Sequence, residues 1–248
     1  MCGATAGNAV ADLTWDEVAR RIAAGAAAIL PVGAAAKQHG LHLPMNTDLV
    51  QAEWLANQLA LRIDALYWPV LSYGHYPAFV QYSGSISLSA PLFQALVTEV
   101  VESLLQFDVP FVFVLDTGIS TIPVIGRAVS AFGPAGRVHH LRIHDGPRYR
   151  QVHGEILDRG WGGHADEAET SRMLALMPAC VNLARAVASG PADRMTRGPL
   201  VHADPHSPNF SGSGSIGDPT GATSAKGERL LAAMLDDLTE TAQMTLRP

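Results

Sequence analysis

Apolar and polar positions change period in blocks along the first two-thirds of the chain. Thr14 and Glu17 form a capping-box pattern, and Trp15, Val18 and Ile22 then fall on one helical face. The run AAAILPVGA, bounded by Gly25 and Gly33, is short and apolar throughout, as a buried strand is. DLVQAEWLANQLALRI returns to helical spacing, with Asp48 placed to cap it. ALYWPVLSYG reads as a second strand, although Pro69 interrupts its middle. Ser89 and Pro91 open a helix through LFQALVTEVVESLLQF. PFVFVLDT is the clearest strand, and RVHHLRIH reads as a fourth. Strands and helices in alternation predict a mainly parallel sheet with helices on both faces, an α/β fold.

The texture changes towards the end. Residues 202–225 are rich in Gly, Ser, Pro and Asp and read as a long loop, after which GERLLAAMLDDLTETAQM closes the chain as a helix. No internal repeat and no clear linker divides the 248 residues, so one domain over 1–248 is expected.

Composition narrows the function. The formal charge is −6 with no long run of like sign, which argues against a nucleic-acid partner or an anionic membrane surface. The stretch from Ala23 to Ala36 contains Pro31 and is too short to span a bilayer, and no signal peptide is evident. The two cysteines, Cys2 and Cys180, do not suggest a disulfide, so a cytoplasmic location is expected. Lysine occurs only at Lys37 and Lys226, which makes Lys37 a notable cation in its loop.

In open parallel sheets ligands bind beyond the carboxyl ends of the strands. Polar residues gather in three such places: AAKQHGLHLPMNTD (35–48), SYGHYPAFVQYSGSIS and DTGIST. A fourth stretch, GWGGHADEAETS, joins His164 to a helix start. His39 and Asp48 could share a zinc or manganese ion, and His42 is a further candidate. Against that, Asp48 could simply cap its helix, and Lys37 would repel a cation. His139, His140 and His144 lie along a strand, alternate in direction, and read as structural. The Asp-Thr-Gly triplet at 116–118 occurs once, where an aspartic protease needs two; its turn could instead hold an anion.

LPVGAAAKQHGLHLPMNTD resembles the creatininase (creatinine amidohydrolase) family stretch LPVGSxEQHGPHLPLxTD. YSGSISL, HADEAETS and GDPTGATSAKGERLL are similar to that family's FPGTxSL, HAGExETS and GDPxxATxEKGxxLL, in the same order. The resemblance implies a three-layer α/β/α sandwich, a homo-oligomer such as a hexamer, and two zinc or manganese ions that assist hydrolysis of small, often cyclic amides. Carried over position by position, it keeps the ligands His39 and Asp48. It places Lys37 where the family has a glutamate, and Gly118 and Ser120 where it has a histidine and a glutamate. No metal is therefore expected, with zinc or manganese reserved for a residual site at His39 and Asp48.

The expected activity is that of a creatininase-like enzyme on a small polar amide, with Lys37 in place of a metal ligand. Lys37, His39, Asp48, His164 and Asp116 are the candidate catalytic groups. His75, Tyr82, Ser120, Trp161 and Glu169 are candidates for substrate contact, Trp161 through stacking. The alternatives are a repurposed cyclase, dehydratase or isomerase using Lys37 and the histidines, or a non-catalytic ligand binder.

Overall fold

The structure is a computed structural model and describes residues 8–133, 136–159, 162–190 and 198–247. Its central sheet has four strands: β1 (Ala28–Val32), β2 (Leu66–Tyr67), β3 (Val112–Asp116) and β4 (Val138–Arg142). They run in the order β2-β1-β3-β4, every pair parallel. Among the described residues seven α-helices accompany them: α1 (Trp15–Ala23), α2 (Thr47–Ile63), α3 (Ala90–Leu105), α4 (Ile122–Ser130), α5 (Pro147–Ile156), α6 (Glu167–Leu176) and α7 (Ser224–Leu246).

Alternation along β1 and β3 builds the two outer layers. Ile29, Phe113 and Leu115 join Leu55, Leu59, Leu230 and Met234 in one core, against α2 and α7. Leu30, Val112 and Val114 join Phe93, Val97, Val101 and Ile125 in another, against α3 and α4. Both strands are buried on both faces, which explains their continuous apolar runs. The expected α/β/α sandwich is the observed architecture.

Two boundaries differ from the sequence pattern. The second strand stops at Tyr67; the Trp68 N–H still donates to the Ile29 carbonyl, and the chain next bonds the edge at Leu71, whose N–H donates to the Pro31 carbonyl. The long loop at 202–225 is partly ordered: β6 (Ile216–Gly217) pairs antiparallel with β5 (Gly162–His164), and Thr223 caps α7. Among the described residues, no helix is long and apolar enough to cross a membrane.

Gly33 decides where α2 begins. A Cβ there would sit 2.5 Å from the Asp48 carbonyl oxygen, so only glycine lets the end of β1 pass so close to the helix. That approach brings the first turn of α2 to the carboxyl edge of the sheet. Asn46, not Asp48, occupies the cap position, which leaves the Asp48 carboxylate for other partners.

Candidate active site

The loop after β1 is held from both sides. The Lys37 N–H donates to the Met45 carbonyl, the Gln38 N–H to Ser85 Oγ, and Gln38 Nε2 to the Gly214 carbonyl. Lys37 is thereby fixed with its side chain buried and its Nζ near the rings of Phe79 (4.9 Å) and Tyr76 (5.5 Å). Nζ lies 2.7 Å from Asp48 Oδ2, a close ion pair.

His39 lies against the other oxygen of Asp48, with Nε2 3.1 Å from Oδ1. Its Nδ1 is 2.8 Å from the Lys37 carbonyl, an acceptor, so Nδ1 carries a hydrogen. Nε2 then faces Asp48 Oδ1 and, at 3.9 Å, Glu169 Oε1. His164 is anchored similarly. Its Nε2–H donates to the Gln38 carbonyl at 2.8 Å, and Nδ1 points at Glu169 Oε2, 3.8 Å away. The ligating atoms of His39, His164 and Glu169 lie within 4.8 Å of one another.

Burial opposes the Asp48 carboxylate, but Lys37 and then His39 outweigh it and hold its pKa below the ordinary range. Glu169 is also lowered: burial works against it, and His39 is the largest favourable influence. Burial, reinforced by the charge of Lys37, keeps His164 well below the usual histidine value, so its imidazole is neutral.

These groups open onto a cavity of about 550 Å³ lined also by Thr117, Gly118, Ser120, His144 and Arg172. The structure thus brings Lys37, Asp48, His164, Glu169 and Ser120 to one cavity, with His39 directly behind Asp48. Lys226 holds the rim: it reaches Asp158, Glu167 and the Gly221 carbonyl, and Glu167 in turn accepts from the N–H groups of Asp158 and Arg159.

Three expected site residues are placed elsewhere. Asp116 does not line the cavity; its oxygens are occupied by the Gly118 N–H, the Thr121 hydroxyl and His140 Nε2, so it organises the turn after β3. His75 bonds the Leu88 carbonyl, and its own carbonyl accepts from Ser120 Oγ. Tyr82 donates to the Ser211 carbonyl and packs with Tyr76, Phe79 and Leu200. Both are supports for neighbouring loops. His42, a candidate ligand by spacing, bonds Thr170 Oγ1 instead. Trp161 and Cys2 lie outside the described residues.

The cavity also contains residues that the sequence does not place there; His144, which reads as structural along a strand, lies in the turn after β4 instead. His144 sits at its wall, pushed down to about 4 by burial and the Arg172 charge. Arg172 follows Glu169 by one helical turn, a spacing that placed it beside Glu169 in principle, but only the packing of α6 turned it inward.

The family model for Creatininase, described as creatinine amidohydrolase, matches residues 11–242. The chain is 30% identical over 233 residues to a mycofactocin precursor peptide peptidase of Mycobacterium tuberculosis (strain ATCC 25618 / H37Rv), covering 84% of this chain and 81% of that one. It is 30% identical over 207 residues to a creatinine amidohydrolase of Pseudomonas putida, covering 74% and 77%. Among solved structures it resembles a creatinine amidohydrolase (creatininase) with a TM-score of 0.80 at 25% identity, covering 98% of this chain and all of the other. A manganese form of creatininase matches with a TM-score of 0.79, also at 25% identity, over 98% of this chain and all of that one.

Proposed function

Because the chain belongs to the creatininase family, we propose that it hydrolyses amide C–N bonds in small polar substrates, cyclic amides among them, at a centre where Lys37 replaces the family's metal pair. The carrying observation is the contact of 2.7 Å between Lys37 Nζ and Asp48 Oδ2 inside the cavity. A pair of divalent ions needs donors where this chain offers an ammonium, a glycine and a hydroxyl committed to the His75 carbonyl. The turn has also closed around Gly118, since a Cβ there would lie 2.4 Å from Thr121 Oγ1. These observations support a site that does not fit two metals.

The chemistry then falls to the chain's own groups. Lys37, held by Asp48, offers an N–H to the substrate carbonyl and stabilises the oxyanion as it forms. Glu169 orients a water, whose proton passes to the unprotonated Nδ1 of His164 as its oxygen bonds the carbonyl carbon. The low proton affinity of His164 favours handing that proton to the leaving nitrogen as the C–N bond breaks, giving a carboxylic acid and an amine.

A second reading rests on a different observation: the inner nitrogens of His39 and His164 converge on Glu169 while their outer N–H groups are anchored on backbone carbonyls. One zinc or manganese ion fits those donors, and when bound would supply an acidified water. The two readings exclude each other at His164 Nδ1. The test is amine release from a panel of cyclic amides, N-acyl amino acids and short peptides, with and without chelator. Turnover that survives chelation and is lost in Lys37→Met supports the first reading. Turnover abolished by chelator and restored by one ion per chain supports the second, and no turnover on any of the panel would sink the hydrolytic assignment.

A further inference from the structure

We propose that Arg172 is the recognition group for a free carboxylate on the substrate, which makes the substrate class small amides bearing a carboxylate, such as N-acyl amino acids or the last residues of a short peptide. The amide part rests on the hydrolytic reading above; the carboxylate part stands on the following geometry.

The Arg172 side chain is only 4% exposed, yet its ion pair with Glu169 is long, 3.9 Å, for a buried guanidinium. Nε donates to Gln51 Oε1 at 2.5 Å. Nη1 reaches the Tyr149 hydroxyl only at 3.4 Å, the outer limit of a hydrogen bond. Nη2 is 3.9 Å from Glu169 Oε1, beyond hydrogen-bonding distance, and Glu169 is shared with His39 and His164. Among the described residues no hydrogen bond engages Nη2, and Arg172 lines the cavity. Neutral His144 beside it adds no compensating charge.

The result is a positioned cation with the outer edge of its fork unfilled, in a site otherwise equipped for chemistry on a neutral amide. A planar carboxylate accepts two parallel N–H bonds from such a fork. A phosphate dianion fits less well, because Asp166 and Glu169 line the same cavity and would repel the second charge. Gln51 sets the angle of the fork, its amide nitrogen donating to the Thr47 carbonyl while its oxygen receives Nε.

The experiment is calorimetric titration of the full chain at low salt with N-acetylglycine and with N-acetylglycinamide, which differ in the carboxylate alone. The acid should bind the wild type about tenfold or more tightly than the amide. Arg172→Met should erase that preference, and Arg172→Lys, which keeps the charge but not the fork, should keep only part of it. Equal affinity of the wild type for the two probes, or an undiminished preference in a folded Arg172→Met protein, would overturn the proposal. Should the methionine variant not fold, the wild-type contrast and the lysine variant decide. Amine release is read separately from the same samples: carboxylate-selective binding without hydrolysis upholds the Arg172 site and counts against the hydrolytic reading alone.

Discussion

Lys37 Nζ and Asp48 Oδ2 lie 2.7 Å apart in the protein interior, joining the loop after β1 to the first turn of α2. With His39 on the second oxygen of Asp48, the carboxylate is contacted from two sides. The arrangement makes Lys37 both the structural counter-ion of the site and its candidate electrophile.

Removing one partner of a buried pair leaves the other charge uncompensated, at a cost of about 3–5 kcal/mol. Lys37→Met should therefore be strongly destabilised in urea unfolding. Adding Asp48→Asn should recover part of the loss, because the stranded charge disappears with it. A double variant no more stable than the single one would contradict the pairing.

Lys37→Glu should be worse than Lys37→Met in metal-free buffer, since it gathers a third carboxylate beside Asp48 and Glu169. It also restores a donor. Zinc should raise the melting temperature of Lys37→Glu by more than that of Lys37→Met, as a thermal melt with and without the ion would show.

The depressed histidines give stability a pH dependence of fixed sign. His42 and His144 are pushed to about 4 by burial, and His164 lies well below 6.5 for the same reason. Between the folded value and about 6.5 the unfolded chain binds protons that the native one does not, so stability falls as pH drops through that window. Each group contributes a slope of at most about 1.4 kcal/mol per pH unit. Asp48, with its lowered pKa, adds a further loss only below about pH 4. Unfolding free energies measured at pH 5, 6 and 7 should rise in that order, and His42→Gln should flatten the trend.

Plasma mass spectrometry of protein prepared without added metal should find no more than one zinc or manganese per chain. Any ion present should be lost in Glu169→Gln, whose carboxylate faces both His39 and His164. Two ions per chain would refute the replacement of the metal pair by Lys37.

Lys226→Met should loosen the cavity rim rather than the core. Lys226 is the counter-ion of Glu167, which holds the backbone of Asp158 and Arg159. Limited proteolysis should cut near residues 157–159 faster in the variant than in the wild type, with the remaining fragment pattern unchanged.

The sequence alone determined the sandwich and most of its elements, because β1 and β3 are buried on both faces and their apolar runs carry that fact locally. It also carried the grouping of Lys37, Asp48 and Ser120, since strand ends in a parallel sheet meet at one edge, whereas His164 on β5 and Glu169 on α6 lie outside that sheet and were marked by their motif. What the tertiary structure decided was direction. Asp116 sits at a strand end like the others, but Gly118, Thr121 and His140 draw its carboxylate away from the cavity. Asp48 reads as a helix cap until Gly33 lets the helix come close enough for Lys37 to reach it. Arg172 is an ordinary helical arginine by spacing, and only the fold brings Gln51 of α2 and Tyr149 of α5 to it and sets it in the cavity wall. Backbone periodicity is written in neighbouring residues; the orientation of a polar side chain depends on partners distant in sequence, and those are known only once the chain has folded.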